Sequence, residues 1–388
     1  MNIELDEDHL ELAQTVKDFA DTVIAPAAYS YDTERRLPLE IIDQMAEMGL
    51  FGLPFPVEFG GRGKDYLSLC LAVEQLSRVD QSIGVTLEAG VGLGAMPVYR
   101  FGTDAQRERF LPQLTSGKAL AAFGLTEAEA GSDAGATKTT AEMIDGEWVI
   151  NGTKQFITNS GTPITRLITV TAVTGSRTSS RGGTVPELSS ILVPTPADGL
   201  TVHPAYDKLG WHTSDTHPLS FDDLRVPEEN LLGERGRGFA NFLSILDEGR
   251  VAFAALCTGA AQGCLEQAIS YAKSRNVFGT AIGSNQHIAF MIARMEERAH
   301  SARLAYYHAC SLLMAGKPFK KEASLAKLSA SEAAMANARD ASQIWGGYGF
   351  LNENAVGRHY RDSKVLEIGE GTTEVQLMIV ARELGLVE

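Results

Sequence analysis

The chain has 388 residues, of which 44% are hydrophobic, and its formal net charge is −15. This length exceeds one ordinary domain and predicts two or three, with enough apolar residues for substantial cores. The negative charge argues against broad nucleic-acid binding, which depends on basic surfaces, whereas an anionic small ligand would need only a few local cations.

The four cysteines form no Cys-x-x-Cys pair and the eight histidines no His-Glu-x-x-His, so neither a disulfide framework nor a metal site is expected. No apolar run is long enough to cross a bilayer, and the acidic start of the chain lacks the basic residues of an export signal. We therefore expect a cytoplasmic protein of bacterial type without membrane insertion. A mature mitochondrial form is the alternative.

The first third of the chain is predicted to be helical. Apolar residues at three- and four-residue spacing predict a helix over residues 10–24 that ends at Pro26, followed by a polar connection over residues 31–37. A second helix is expected over residues 38–48, and an apolar helix over residues 66–77.

Two local patterns follow in this helical region. Thr103 and Gln106 are spaced as a capping box that opens another helix. Residues 90–95 match Gly-x-Gly-x-x-Ala, the dinucleotide-binding pattern, which requires a strand before it and a helix after it. Because the surroundings are helical and rich in Ala and Gly, we interpret these glycines as a close helix contact instead.

The pattern changes near Ala121. Residues 141–144 and 147–150, separated by Asp145-Gly146, predict a β-hairpin. Residues 175–187 are predicted to be a mobile polar loop. Further short strands are expected at 156–158, 167–173, 190–193, 200–202 and 219–221. Short strands without intervening helices favour a compact β-barrel or sandwich.

Long helical segments return after residue 238. Residues 239–273, 284–315 and 318–344 predict three long helices, which together with a helix after Glu370 fit an antiparallel bundle. The sequence therefore predicts a mostly α protein with a central β domain. Its predicted domains are an N-terminal helical domain (1–120), a small β-barrel (121–232) and a C-terminal four-helix bundle (233–388).

The most informative stretch is 366–374, where the carboxylate of Glu370 stands between Gly369 and Gly371. Glycine on both sides lets a ligand approach the carboxylate and the adjoining backbone N–H closely. Thr372 then begins a helix, where an N–H can hydrogen-bond developing negative charge on a carbonyl oxygen. A base and a carbonyl polariser from one loop could remove a proton from the carbon next to a thioester. The alternative is a surface turn before a terminal helix.

Four further stretches carry residue types that suit a nucleotide cofactor, although each alone is also typical of ordinary turns and element ends. Residues 123–133 offer hydroxyls and glycines that allow close backbone approach. In residues 152–159 an aromatic ring stands two positions before a threonine, which would place both on one strand face. Arg275 can bind a phosphate through paired donors, and the glycines of residues 343–349 can pack against a diphosphate.

Together and in this order, the stretches resemble the acyl-CoA dehydrogenase family of flavoproteins. The resemblance covers nearly the whole chain, and the ordered set is far more specific than any one piece. The matching pieces are Thr126-Glu127, Ala130-Gly131-Ser132-Asp133, Phe156-Ile157-Thr158-Asn159, Leu246-Asp247-Glu248-Gly249-Arg250, Arg275, Phe278-Gly279, Gln343, Gly346-Gly347-Tyr348-Gly349 and Glu370-Gly371-Thr372.

The resemblance implies FAD-dependent α,β-desaturation of an acyl-CoA thioester to the trans-2-enoyl-CoA. Glu370 would remove the α-proton while the β-hydrogen leaves as hydride, and the Glu370 N–H with a flavin ribityl hydroxyl would polarise the thioester carbonyl. The residues that would contact the substrate are Ser132, Asp247, Arg250 and Gly371. Those that would hold FAD, partly across a subunit boundary, are Leu125, Thr126, Ser132, Phe156, Ile157, Thr158, Arg275, Phe278, Gln286, Gln343, Ile344, Gly346, Gly347, Thr372 and Glu374.

A rival position for the base lies immediately before Arg250, where some family members carry theirs. That position is Gly249 here, and a helix rotates the neighbouring Glu248 away by ~100°. Glu370 is therefore the predicted base. Gly369 replaces a bulky aromatic residue that is common just before the base, and we hypothesise that this widens the cavity for bulkier or branched acyl groups. Glu88 falls where relatives line the deep end of the acyl pocket, or is an ordinary paired or solvated carboxylate.

The resemblance also implies a homotetramer and a separate electron-transfer flavoprotein as electron acceptor. Three other functions remain as alternatives: an acyl-CoA oxidase that uses oxygen, a related flavoenzyme acting on nitroalkanes, for which Asp is expected in the base position, and a catalytically silent acyl-CoA-binding or assembly protein.

Overall fold

The computed structural model describes residues 5–178 and 182–387. Helices precede and follow a central set of strands, which confirms the predicted order of helical, β and helical regions. One apolar core joins the N-terminal helices to the long C-terminal helices, and a separate core lies within the sheet. No helix of the described residues has both the length and the apolar character needed to cross a membrane.

The helices before the sheet mostly follow the predicted pattern. The capping box is confirmed, because Gln106 N donates to Thr103 Oγ1 at 3.2 Å while Thr103 N donates to the Gln106 side chain at 2.9 Å. The helices are α1 (Glu7–Phe19), α2 (Ala25–Glu34), α3 (Leu39–Glu47), α4 (Tyr66–Val79), α5 (Gln81–Glu88), α6 (Met96–Phe101) and α7 (Asp104–Thr115).

The prediction that the first helix ends at Pro26 is wrong. α1 continues through a π-helical turn, Ala20–Ile24, directly into α2, and Pro26 lies in the first turn of α2. Proline lacks the N–H that an unbroken α-helix would use, and the hydrogen-bond register widens just before it, where Ala25 N donates to the Ala20 carbonyl. Because α2 runs to Glu34, most of the predicted connection over residues 31–37 is helical.

The glycine-rich segment after α5 is a second π-helical turn, Ala89–Ala95. A helix rather than a strand precedes it, so the segment is not a dinucleotide-binding turn. The predicted close packing is observed, but against the first strand as well as neighbouring helices. A β-carbon added at Gly94 would lie 2.7 Å from the Ala121 carbonyl oxygen. This segment therefore needs glycine so that the first strand can approach it.

The central strands form one open sheet in the order β6-β7-β3-β2-β4-β5-β8, with β1 paired to β4. The predicted hairpin is confirmed as β2 and β3, in antiparallel register from Thr140↔Asn151 to Ile144↔Glu147. No pairing closes the sheet among the described residues, so the predicted barrel is not observed. The strands are β1 (Leu120–Gly124), β2 (Thr140–Ile144), β3 (Glu147–Thr158), β4 (Thr165–Thr178), β5 (Thr184–Pro194), β6 (Leu200–Val202), β7 (Thr216–Pro227) and β8 (Leu231–Leu232).

The prediction of a mobile loop over residues 175–187 is also wrong where the structure describes it. β4 and β5 pair through this region as far as Thr178↔Thr184, and residues 179–181 lie outside the described residues. Polar side chains hold the extension, since Thr174 donates to Glu187 at 3.0 Å and Arg235 pairs with Glu187 at 2.6 Å. Polarity alone is therefore no reliable sign of a loop here.

The long C-terminal helices are confirmed. α8 packs against α9 and α10, and also against α4 of the N-terminal region. That last contact is close, because a β-carbon added at Gly259 would lie 2.2 Å from the Glu74 carbonyl oxygen. The elements are α8 (Gly238–Ser274), the two-residue strands β9 (Asn276–Val277) and β10 (Thr280–Ala281), α9 (Gln286–Met314), α10 (Lys320–Trp345), α11 (Ala355–Leu366), which was not predicted, and α12 (Thr373–Glu383).

Candidate active site

Glu370 lies in the loop between α11 and α12. The predicted helix start is confirmed, because Thr372 caps α12 by accepting a hydrogen bond from Val375 N at 3.3 Å. Glu370 has a φ of +53° and Gly371 a φ of +96°. A left-handed conformation costs energy for a residue other than glycine, and such strained positions concentrate at functional sites.

The backbone carbonyls of this loop are fixed from three helices. The Glu370 carbonyl accepts hydrogen bonds from Gln376 Nε2 at 3.1 Å and from Arg250 Nε at 3.4 Å. The Gly371 carbonyl accepts from Gln376 Nε2 at 2.9 Å and from Lys327 Nζ at 2.8 Å. The Glu370 N–H, in contrast, donates to no other described residue, so it is available to a ligand.

The carboxylate of Glu370 is shielded from solvent and accepts no hydrogen bond from another described residue at either oxygen. Burial raises the pKa of Glu370 to about 7, and the charge of Arg250, the neighbouring Glu88 carboxyl and the charge of Lys327 oppose that rise. A buried, unpartnered carboxylate is costly to retain, which argues that its role is functional rather than structural.

Glu88 of α5 is a second buried carboxyl beside this site. It is 1% exposed, and its Oε1 accepts no hydrogen bond among the described residues. Burial and then the charge of Glu370 raise the pKa of Glu88. Glu88 is thus buried beside Glu370 rather than solvated, contrary to the simpler of the two interpretations offered by the sequence.

α8 contacts the Glu370 carboxylate at Gly249, a residue without a side chain. A β-carbon added at Gly249 would lie 2.9 Å from Glu370 Oε2 and 3.2 Å from Oε1. The rival base position therefore adjoins the space that the Glu370 carboxylate occupies. Glu248 turns away as expected, since it pairs with Arg100 at 3.0 Å.

The β-domain residues predicted to hold a cofactor come together from two stretches. Gln155 N donates to the Thr126 carbonyl at 2.8 Å, which joins β3 to the turn after β1. The strand is irregular here, because Phe156 has a φ of +60° and the β3–β7 register shifts between Lys154 and Ile157, so the common face of Phe156 and Thr158 stays a prediction. Leu125 and Ile157 are buried, Thr126 and Thr158 half-buried, and Ser132 and Phe156 exposed.

The end of β3 connects this region to the base. Asn159 Nδ2 donates to the Thr86 carbonyl at 3.3 Å, and a β-carbon added at Gly90 would lie 3.7 Å from the same nitrogen. Residues 86–93 also include Glu88 and Leu93, whose Cδ2 would lie 3.3 Å from a β-carbon added at Gly249. One short segment therefore separates the predicted flavin residues from the predicted base.

Sequence reasoning missed Lys154, a fully buried cation beneath the Leu125–Thr126 turn. Its Nζ donates to Glu127 Oε1 at 2.8 Å, to the Leu125 carbonyl at 3.1 Å and to Thr171 Oγ1 at 3.2 Å. Burial lowers the pKa of Lys154 to about 8, and Glu127 opposes that change. The sequence shows both charges, but nothing in their spacing of 27 residues indicates that they meet.

Replacing Lys154 by methionine is expected to destabilise the protein by about 3–5 kcal/mol, because it leaves the Glu127 carboxylate buried without its cation. Thermal or denaturant unfolding measures the change. The matched control is Lys138→Met, because Lys138 pairs with Glu129 at the surface, where both side chains are more than two-thirds exposed. The loss of stability in this control should be much smaller, because solvent screens an exposed ion pair. Equal stability of the two variants would contradict a structural role for the buried pair.

The remaining predicted cofactor residues lie in or beside a separate cavity of about 670 Å³ at the far end of α8. Arg275, Phe278, Ile344, Gly346 and Gly347 line it. β-Carbons added at Gly346 and Gly347 would meet no atom within 4 Å, so the backbone there is open to a ligand. Gln286, the first residue of α9, and Gln343, in the last turn of α10, are exposed.

The predicted cofactor residues of one chain thus fall at two distant places. Gly249, eleven residues after the first residue of α8, contacts the base, and Arg275 follows the last residue of that helix. These 26 residues span ~39 Å at a rise of about 1.5 Å per residue.

The other predicted residues lie close to the base loop. Asp247 of α8 forms an ion pair with Arg250, whose guanidinium also reaches the Glu370 carbonyl. Thr372 caps α12, and Glu374 in its first turn is exposed.

Family models match almost the whole chain. The models described as acyl-CoA dehydrogenase N-terminal, middle and C-terminal domains match residues 6–118, 122–224 and 236–385.

Individual relatives agree with that match. The chain is 44% identical over 384 residues to probable acyl-CoA dehydrogenase YngJ of Bacillus subtilis, covering 99% of this chain and 100% of the relative. It is 40% identical to the mouse mitochondrial short-chain specific acyl-CoA dehydrogenase, covering 99% and 91%.

Solved structures show the same fold. Butyryl-CoA dehydrogenase from Megasphaera elsdenii superposes with a TM-score of 0.93 at 39% identity, covering 99% of this chain and 100% of that one. A chain from a structure described as the electron transferring flavoprotein of Acidaminococcus fermentans superposes with a TM-score of 0.94 at 40% identity, covering 99% of both chains. With every domain matched and the relatives aligned end to end, this chain belongs to the acyl-CoA dehydrogenase family of oxidoreductases.

Proposed function

We propose that this protein is an FAD-dependent dehydrogenase of short, straight-chain acyl-CoA thioesters that passes electrons to an electron-transfer flavoprotein. The observation that carries the proposal is the buried, unpartnered carboxylate of Glu370 against the bare face of α8 at Gly249. The short-chain and butyryl-CoA relatives support the substrate class, and the likeness to the Acidaminococcus fermentans chain supports the partner.

Glu370 would act as the general base. With a pKa raised to about 7 by burial, its carboxylate is a stronger base than an ordinary glutamate and is still substantially ionised at neutral pH. The Glu370 N–H, which has no partner among the described residues, would donate to the thioester carbonyl oxygen. Arg250 and Lys327 hold the loop that presents both groups.

The residues present fit FAD. Arg275 and the open backbone at Gly346 and Gly347 suit its phosphates, while Leu125, Thr126 and Thr158 would border the isoalloxazine ring. The chemistry that FAD supplies when bound is acceptance of the β-hydrogen as hydride. The protein's part is to align the substrate, to exclude water and to hold the base.

Along α8, Arg275 lies ~39 Å from Gly249, which contacts the base, and this exceeds the length of an extended flavin dinucleotide. Both sets can therefore serve one FAD only if they come from different chains, with the Arg275 cavity of one chain completing the Glu370 site of its partner. This supports a homotetramer or another oligomer in which two chains share each site.

Mixed oligomers test this sharing. Glu370→Gln and Arg275→Ala chains are each expected to lose activity when expressed alone. Co-expressed, they should regain a fraction of wild-type activity, because some sites would combine an intact Glu370 with an intact Arg275 of the partner. Activity of the mixture no higher than that of the separate variants would show that each site belongs to one chain.

The raised pKa predicts a pH profile. Because only the ionised carboxylate accepts a proton, kcat/KM for butyryl-CoA should rise as pH increases through about 7 and then level off. The profile would be measured from pH 5.5 to 9 at constant ionic strength. A kcat/KM that is already constant from pH 5.5 upward would mean that the base titrates like an ordinary glutamate.

Anaerobic addition of butyryl-CoA to the purified protein tests the function as a whole. The flavin absorbance should bleach, and the product should be crotonyl-CoA. The reduced protein should then react slowly with air and rapidly with an electron-transfer flavoprotein. Rapid reoxidation by air would instead indicate an oxidase, and bound acyl-CoA without bleaching would indicate a silent binding protein.

A further inference from the structure

A phenyl ring stands where the side chain before the base would extend. A β-carbon added at Gly369 would lie 3.4 Å from Phe253 Cζ and 3.8 Å from Phe253 Cε2. The ring is 2% exposed. The glycine therefore does not leave an open space toward α8, because Phe253 already occupies it.

The same face of α8 carries the contacts to Glu370. Gly249 and Phe253 are four residues apart, which places them one above the other on a helix. Gly249 lies against the Glu370 carboxylate, and Phe253 lies against Gly369. On α8, a glycine therefore faces the glutamate of the loop, and a phenylalanine faces the glycine of the loop.

Two neighbours hold the Phe253 ring in place. Trp211 meets it edge to face with the ring centroids 6.4 Å apart, and Lys327 Nζ lies 5.6 Å from the ring centroid. Trp211 is itself anchored, because its backbone N–H donates to Asp362 Oδ1 at 2.6 Å and its indole Nε1 donates to Gln81 Oε1 at 3.4 Å. Lys327 also donates to the Gly371 carbonyl, so the ring and the base loop share a support.

We propose that Phe253 is the residue of this chain that sets the width of the acyl site beside the base and excludes acyl groups branched at the α or β carbon. The proposal rests on the proposed function. It reverses the hypothesis that Gly369 widens the site, because the Phe253 ring of α8 fills the space that a side chain at residue 369 would occupy. The substrate class is accordingly the acyl chain that is unbranched at the α and β carbons.

The test compares kcat/KM for butyryl-CoA with that for isobutyryl-CoA in wild type, Phe253→Leu and Phe253→Ala. The wild type should prefer the straight chain, and Phe253→Ala should shift the ratio toward the branched one by about tenfold or more, as expected when a pocket gains room for a methyl group. Phe253→Leu keeps an apolar side chain and should shift the ratio less. An unchanged ratio in both variants would overturn the proposal.

Leu265→Ala is the matched control. Leu265 is a fully buried residue of α8 that packs in a separate cluster, so its loss should lower the melting temperature without changing the ratio. If Leu265→Ala changes selectivity as much as Phe253→Ala, the effect is a general loosening of α8 and the proposal fails.

Swapping the small and large side chains at residues 369 and 253 gives a second test, which is read from melting temperatures and needs no enzyme activity. Gly369→Tyr alone should lower the melting temperature, because its ring cannot extend toward α8 without displacing Phe253, and adding Phe253→Ala should recover part of that loss. Strictly additive changes would contradict the contact between residues 253 and 369.

These outcomes are separate from those of the proposed function. If wild type does not oxidise butyryl-CoA, the function itself fails, whatever the melting temperatures show. If wild type oxidises it and the Phe253 variants keep the wild-type ratio, only the assignment of Phe253 fails.

Discussion

Glu370→Gln is expected to lower kcat by about 10²–10⁴-fold, the contribution typical of a general base, while the protein keeps its flavin. The amide has nearly the size of the carboxylate, so the loop, its Thr372 cap and the bonds to its carbonyls should persist. Rapid-mixing reduction of the flavin by butyryl-CoA measures the loss, and the visible spectrum before mixing reports the bound cofactor.

Glu248→Gln is the matched control. This carboxylate is also buried and lies only one residue from the rival position, but it pairs with Arg100 rather than facing Glu370. The control should retain activity within about an order of magnitude of wild type. Comparable activity of Glu370→Gln and wild type, with Glu248→Gln inactive, would move the base to the other side of α8.

Glu370→Gln should also change how the stability of the protein depends on pH. A carboxyl whose folded pKa is raised from 4.5 to about 7 favours the protonated protein, so its ionisation costs stability as pH rises through that window. The melting temperature of Glu370→Gln minus that of wild type should therefore increase as pH rises from 5 to 8. A difference that is constant over this range would contradict the raised pKa.

Gly249→Ala is expected to reduce kcat/KM by about 10²-fold, since small displacements of a catalytic group have effects of that size. The added methyl would lie 2.9 Å from Glu370 Oε2, and the flexible end of the glutamate side chain, rather than the backbone, must move. The fold should survive, because alanine is favoured over glycine within a helix by about 1 kcal/mol. Steady-state kinetics and thermal unfolding together test the expectation of lost activity without lost stability.

Gly259→Ala, on the same helix, should behave in the opposite way. Its β-carbon would lie 2.2 Å from the Glu74 carbonyl oxygen, so α4 and α8 must separate, and the melting temperature should fall. The contrast between the two glycines distinguishes a space kept for chemistry from one kept for packing. Full activity of Gly249→Ala would mean that the carboxylate is free to take another position.

The sequence is most informative where one short segment carries its own signals. The loop at Glu370 could be predicted because its glycines and the threonine cap are adjacent in the chain, and the cap is confirmed. Long helices and the hairpin at Asp145-Gly146 were predictable for the same local reason. The base assignment itself stays a prediction until the variants are measured.

Features that depend on contacts between distant segments could not be predicted. The Lys154–Glu127 pair and the approach of Phe253 to Gly369 join residues whose spacing carries no pattern. From the sequence alone, the missing side chain at Gly369 indicates a wider site. The structure shows that the Phe253 ring lies in that space. Pairing of β4 with β5 likewise orders a polar segment whose composition is typical of a loop.

The most direct test of Glu370 as the base is exchange of the substrate's α-proton with solvent deuterium, followed by mass spectrometry of an acyl-CoA that binds. The wild type and Glu248→Gln should catalyse exchange at the α-carbon, and Glu370→Gln should not. Exchange by Glu370→Gln at the wild-type rate would show that another group takes the proton and would contradict the assignment of Glu370 as the base.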